Sequence, residues 1–380
     1  MAGLYIHIPF CKSRCIYCGF YSTTHLSLRD SYVSALCHEM EMRSRNVLFQ
    51  QLSTIYIGGG TPSQLSISHL HDIFKCIDNH FHVDDDAEIT IECNPDDVTP
   101  SFAEALRELP INRVSMGVQT FNDERLKFLR RRHSSEQVLQ AIERLRIAGI
   151  GNISIDLMFG FPNETLEEWE SDIEQALNLH VEHISAYSLM YEEGTPLYNI
   201  RSKQIENGLV NQDEEDELSV KMYELLMEKL EKAGFEHYEI SNFALKKEHG
   251  SYRSRHNSSY WQGIPYLGIG AAAHSYDIDS RQWNVADIQQ YIQTIQRGEI
   301  PAEREYLTDD MKYNDMVTTA LRTKEGITLT HLQEKYRSYL LKQSQKLISY
   351  GLLNLSNGSI VLTKKGVSIS DMVMIELIYV

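Results

Sequence analysis

Leu4-Tyr5-Ile6-His7-Ile8-Pro9-Phe10-Cys11-Lys12-Ser13-Arg14-Cys15-Ile16-Tyr17-Cys18 carries the first strand of the chain and the loop that leaves it. The run Leu4–Ile8 reads as a strand, and three cysteines follow it, spaced C-x3-C-x2-C. Outward from there, short β-branched runs return at Thr54–Ile57, Ala87–Glu92, Arg113–Val118, Asn152–Met158 and His183–Leu189. Amphipathic stretches lie between them: Ser31–Arg45, His69–His80, Pro100–Glu108, Glu136–Ala148 and Leu166–Leu179. Each is long enough to be the crossover that two parallel strands require. Six strands in this rhythm predict an α/β fold, a partial (β/α)6 TIM-like barrel. An open doubly wound sheet is the alternative that rhythm alone leaves standing. In both architectures ligands gather at the carboxyl ends of the strands, and the cysteine loop lies at such an end.

Past about residue 200 the rhythm breaks. The acidic run Asp213–Glu217 opens a helix that reaches Ala233, with Gly234 as its stop. A Gly- and aromatic-rich stretch, Arg255 to Tyr276, shows no periodicity. From about residue 305 the pattern predicts helices over Ile327–Tyr336 and Tyr339–Tyr350, then two strands, Leu352–Leu355 and Ser359–Leu362. An Asn357-Gly358 turn joins them, a strong hairpin signal. The chain therefore divides into a barrel over 1–200, an extension over 201–304 and a C-terminal α+β winged-helix-like module over 305–380.

The 380 residues carry a formal net charge of -17 and are 42% hydrophobic, which is ordinary for a soluble globular protein. A broad nucleic-acid footprint, which needs a basic face, is excluded. No apolar run approaches the length of a membrane span, and no signal peptide precedes the first strand. The expectation is a cytoplasmic protein whose six cysteines stay reduced.

Thiolates at C-x3-C-x2-C suit an iron–sulfur cluster. Cys11, Cys15 and Cys18 have no evident fourth partner, so a [4Fe-4S] cluster on them would leave one iron open to an exchangeable ligand. Zinc, with His7 or His25 as fourth ligand, is the alternative; the spacing, with no second Cys or Cys/His pair, favours the cluster. Cys37, Cys76 and Cys93 are isolated in sequence and read as ordinary buried thiols. At the end of the second strand, Gly58-Gly59-Gly60-Thr61-Pro62 lets backbone approach a ligand closely. Glu92, Gln119 and Asp156 are polar groups at strand ends, and a carboxylate there is costly without a partner. One arginine of Arg130-Arg131-Arg132 is suited to pair bidentately with a carboxylate.

These pieces resemble the radical S-adenosylmethionine enzymes, and within them the coproporphyrinogen oxidase-like (HemN-like) branch. The match rests on Tyr5-Ile-His-Ile-Pro-Phe-Cys11, Gly58-Gly-Gly-Thr-Pro62, Ile91-Glu-Cys-Asn-Pro95, Ser115-Met-Gly-Val-Gln-Thr-Phe121 and Ser154-Ile-Asp-Leu-Met-Phe-Gly160. The resemblance covers nearly the whole chain. It implies that S-adenosylmethionine chelates the open iron and that the reduced cluster cleaves it to a 5′-deoxyadenosyl radical. It further implies that Tyr5, Tyr17, Gly59, Gly60, Thr61, Glu92, Gln119, Arg131 and Asp156 line the S-adenosylmethionine site. Glu92 would take the amine, Arg131 the carboxylate, and Gln119 with Asp156 the ribose hydroxyls.

Two departures from the oxidase pattern stand out. Phe20 occupies the place of the oxidase's fourth cysteine, and the segment that precedes its tyrosine has no counterpart before Tyr5. His256-Asn257-Ser258-Ser259-Tyr260-Trp261, by contrast, fits the H-N-x-x-Y-W pattern of the heme chaperones in the same branch. A histidine can ligate heme iron and aromatics can flank a porphyrin. The resemblance thus implies heme as a third cofactor, His256 as its ligand, and an acceptor protein as partner, with a homodimer as one assembly. His274 is a second histidine considered for heme and read as structural. An oxygen-independent coproporphyrinogen III oxidase is the alternative activity.

Overall fold

The computed structural model describes residues 2–209, 211–248 and 250–380. Six parallel strands form in chain order: β1 (Ala2–Ile8), β2 (Gln51–Gly59), β3 (His82–Cys93), β4 (Arg113–Gln119), β5 (Ile153–Phe159) and β6 (His183–Ser188). The helices α1 (Arg29–Arg43), α2 (Ile67–His80), α3 (Pro100–Leu106), α4 (Asp123–Phe128), α5 (Ser135–Ile147) and α6 (Leu166–Asn178) occupy the connections. Capping boxes at Ser66, Ser134 and Thr165 start α2, α5 and α6 by satisfying amide donors that would otherwise be left over. β3 starts five residues earlier than its apolar run. His82 and Val83 pair with Gln51 and Leu52, and polar residues through Asp86 extend the strand, because backbone pairing does not require apolar side chains.

Two further helices follow, α7 (Pro196–Glu206) and α8 (Gln212–Lys232), and α8 ends at Gly234 with φ +90°. Next come β7 (Phe235–Glu239), β8 (Asn242–Leu245), α9 (Arg255–Trp261), β9 (Tyr266–Ile269), β10 (His274–Tyr276), β11 (Ser280–Asn284), α10 (Ile288–Gln296) and β12 (Ala302–Tyr306). Their strands join the same sheet, whose order is β12-β11-β10-β9-β1-β2-β3-β4-β5-β6-β8-β7. The sheet does not close: β12 and β7 are its edges, so the barrel is partial. The stretch that shows no periodicity in sequence is in fact ordered, as one short helix and two strands. β9 lies parallel to β1, with Gly3 opposite Tyr266. Elements of three to seven residues are too short to display a period.

Along the six parallel strands, period-2 alternation separates two faces. Leu4, Ile6, Ile8, Ile57, Ile91, Val114, Met116, Ile155 and Leu157 pack in the main hydrophobic core. The opposite face is polar. Pairing aligns Tyr5, Tyr56, Thr90 and Arg113 in one row, and Gly117, Asp156 and Ser185 in another. An ordinary barrel fills its interior with branched apolar side chains; this face carries polar groups instead.

The C-terminal module has a core of its own, around Val317, Leu340, Ile360 and Leu377. It comprises α11 (Asp309–Ala320), β13 (Ile327–Thr328), α12 (Glu334–Ser349), β14 (Leu353–Ser356) and β15 (Ser359–Leu362), followed by two short C-terminal helices. The Asn357-Gly358 hairpin forms as expected, both residues having positive φ. The helix expected over Ile327–Tyr336 does not form. Ile327 pairs with Ile360 in a strand, and a single helix begins only at Glu334. Burial of Ile327 against the hairpin outweighs local helix propensity. Among the described residues no helix is long and apolar enough to cross a membrane.

Candidate functional site

β1 ends at Ile8, and the loop beyond it carries the three cysteines over the carboxyl ends of the parallel strands. Thr61 Oγ1 is 3.4 Å from Cys11 Sγ, and Asn94 Nδ2 donates to the same hydroxyl at 3.4 Å. Arg131 reaches Cys15 from the other side, its Nη1 3.7 Å from Sγ. Its Nη2 donates to Asn94 Oδ1 at 2.6 Å and to the carbonyl of Gly117. Arg131 therefore ties β3, β4 and the cysteine loop together, and its Nε is buried without a partner. Burial holds the Tyr17 phenol above its usual range, while the Arg131 guanidinium acts against that.

The glycine loop is shaped by two constraints. Gly59 has φ +110°, a conformation that a side chain disfavours. A Cβ on Gly60 would lie 2.8 Å from the Pro9 carbonyl carbon and 3.1 Å from Cys11 Sγ. The amide of Gly59 donates to Glu92 Oε2 at 3.0 Å, and the Tyr56 hydroxyl donates to Oε1 at 2.7 Å. Burial nevertheless holds Glu92 above the usual carboxylate range. Asp156, in the next part of the polar face, is pushed up to about 7, first by burial and then by the charge of Glu92. Gln119 ends β4 at φ +72°, where a register shift between Gly117 and Gln119 re-aims its side chain.

Among the described residues, no three His, Cys, Asp or Glu side chains converge to hold one metal ion. In a cubane each thiolate takes a different iron, so three free cysteines on one loop fit. The orphaned Arg131 Nε, the two carboxyls held above their usual range and the side-chain-free approach at Gly60 suit a zwitterionic ligand beside a cluster. Burial raises the Cys11 and Cys18 thiols, Cys18 to about 11, and a bound cluster would displace those protons.

The structure brings Cys11, Cys15, Thr61, Arg131 and, through Asn94 and Gly117, the ends of β3 and β4 into one network. Tyr5 lies deeper in the polar face: its hydroxyl pairs with His7 Nδ1 at 2.9 Å, and its ring stacks on Tyr56 and His256. Asn94 and Arg113 went unassigned in the sequence. Asn94 lies inside the quoted Ile91–Pro95 motif, which was a signal available to be read. Arg113 is 1% exposed with Nε and Nη1 unpartnered, and it reads in sequence as an ordinary strand start. Phe20 is 70% exposed. Cys37 and Cys76 are not isolated from each other: Cys76 Sγ donates to the Cys37 carbonyl at 3.3 Å, and Cys37 is only half-buried.

The structure places His256 in a buried, hydrogen-bonded setting. The residue is 1% exposed; Nδ1 is paired with the Thr54 hydroxyl at 2.9 Å and Nε2 with the Tyr260 hydroxyl at 2.8 Å. Burial and the nearby Arg113 charge push it down to about 3. Both ring nitrogens are thus engaged by hydroxyls of the chain itself. His256 instead fastens α9 beneath the sheet, where Glu88 accepts from the amides of Arg255 and His256.

A partial βα barrel with a three-cysteine loop and a polar inner face defines the radical S-adenosylmethionine class, and the Radical SAM superfamily profile matches residues 5–176. Heme chaperone HemW of Bacillus subtilis is 37% identical over 96% of each chain, and that of Lactococcus lactis is 34% identical over 97% of this chain and 94% of its own. The chain belongs to the HemW family. In fold it is similar to the coproporphyrinogen III oxidase HemN of Escherichia coli, at TM-score 0.83 and 22% identity over 99% of this chain and 90% of that one.

Proposed function

We propose that this protein is a heme chaperone: it binds heme and passes it to an acceptor protein, under the influence of a [4Fe-4S] cluster and S-adenosylmethionine. The observation that carries this reading is the full-length similarity to proteins named heme chaperones, 37% identical over 96% of both chains in the Bacillus subtilis case. Cys11, Cys15 and Cys18 hold the cluster. Tyr5, Tyr17, Gly59, Gly60, Thr61, Glu92, Gln119, Arg131 and Asp156 form the S-adenosylmethionine site. When bound, the cluster and the sulfonium together supply one-electron chemistry.

The chain's own groups position the ligand. Arg131, fixed by Asn94 and the Gly117 carbonyl, presents a rigid cation to a carboxylate. Glu92, fixed by Tyr56 and Gly59, presents a carboxylate to an amine. Gln119 and Asp156 face ribose hydroxyls, and Asp156 can donate as well as accept when protonated. Reduced thiols fit a cytoplasmic setting.

The test is anaerobic cluster reconstitution, hemin titration followed by the Soret band, and transfer to an apo-heme protein. Saturable binding near one heme per chain, with transfer and without coproporphyrinogen turnover, is expected. Conversion of coproporphyrinogen without stable heme binding would return the protein to the oxidases, the reading favoured by its HemN-like fold.

A further inference from the structure

With His256 occupied, the heme of the proposed function needs another seat. α9 and the C-terminal module enclose a cavity of about 720 Å3, within the range of cofactor sites. One wall is aromatic: Trp261 from α9, Tyr266 at the start of β9 and Tyr276 at the end of β10. Tyr260 supports this wall edge-on, its ring centroid 4.5 Å from that of Tyr266. The facing wall belongs to the module and holds two side chains able to ligate iron, Met316 on α11 and His331 ahead of α12. His331 is exposed, and among the described residues its ring has no hydrogen-bond partner.

Trp261 itself carries an unpaired donor and a cation over its ring. Trp261 Nε1 is buried with no acceptor, although the ring lines the cavity and Arg322 lies over it at 5.0 Å. An orphaned indole donor costs stability unless something fills its bond. Arg281 and Lys312 stand at the cavity as well. Both are half-exposed and shared with Glu305, Asp315 and Asp279, so they can exchange those partners for propionates.

We propose that this cavity between α9 and the C-terminal module is the heme site, with His331 as iron ligand and the Trp261–Tyr276 wall against the porphyrin. The proposal rests on the heme-chaperone reading and adds the seat and the ligand. It gives the H-N-x-x-Y-W segment a different role: Trp261 faces the heme, while His256 and Tyr260 hold Trp261 in place.

Hemin titration of the reconstituted full-length protein tests it, with wild type, His331→Ala and Thr318→Trp compared. Thr318 is an exposed α11 position on the cavity, so a tryptophan there fills the space without disturbing a core. His331→Ala is expected to shift the Soret band and weaken binding at least tenfold, and Thr318→Trp to remove saturable binding. His274→Ala is expected to change neither. Wild-type binding with both cavity variants unchanged in affinity and spectrum overturns the site and leaves the chaperone reading intact. Absence of saturable binding by wild type overturns both.

Discussion

Arg131 is the residue on which the proposed cofactor site is hung, because a single planar fork contacts Cys15, Asn94 and Gly117. A lysine has one point charge and cannot reproduce that geometry. Arg131→Lys is expected to weaken S-adenosylmethionine binding roughly 10- to 100-fold, the loss of a charged hydrogen bond. Equilibrium dialysis measures this, and unchanged affinity would take Arg131 out of the site. Asp156 makes a pH-dependent prediction. Its folded value, about 7, lies above the ordinary aspartate value. Between the two the folded chain binds more protons than the unfolded one, so this group's contribution to stability falls as pH rises through that window. Asp156→Asn removes the penalty. The melting temperature of the ligand-free variant should gain on wild type between pH 5 and 8, and a pH-independent difference would contradict the assignment.

At the scale of elements, the β2 loop and α9 do different work at opposite ends of the same strands. A methyl at Gly60 would press on backbone and on Cys11 Sγ. Gly60→Ala should therefore lower cluster content, read as iron and sulfide per chain, while leaving the folded fraction detectable by circular dichroism. α9 is pinned by the Thr54–His256–Tyr260 hydrogen bonds and by Glu88 at its amino end. His256→Phe strands the Thr54 and Tyr260 hydroxyls and should cost about 1–3 kcal/mol in denaturant unfolding. With the heme seated in the proposed cavity it should keep a wild-type Soret position; loss of the heme spectrum in a folded variant would make His256 the ligand.

Across the whole molecule, the cysteine loop leaves the carboxyl end of β1 while Tyr266 pairs at its amino end, opposite Gly3. A seven-residue strand spans roughly 20 Å, so the cluster and the proposed heme cavity sit at opposite ends of the sheet. Cys11→Ala leaves two thiolates and should abolish the cluster's visible absorption without abolishing heme binding. If heme binding vanishes in a folded Cys11→Ala protein, the two sites are not separate. Between them lie Tyr5, Tyr56 and His256, stacked on one another, with Tyr260 edge-on to His256.

The sequence alone determined the six-strand rhythm, the cysteine loop at a strand end, the glycine loop and the Asn357-Gly358 hairpin. All of these are local: spacing within a few residues sets side-chain alternation, ligand geometry and turn type. The sequence also hid what depends on distant pairing. β9 takes its place beside β1 through contacts more than 250 residues apart, and Ile327 becomes a strand because Ile360 is there to pair with it. His256 looks like a free ligand in its motif, yet Thr54, 202 residues away, claims one nitrogen. Only the tertiary structure decided these, because a hydrogen bond or a cavity wall exists only once both sides have been brought together.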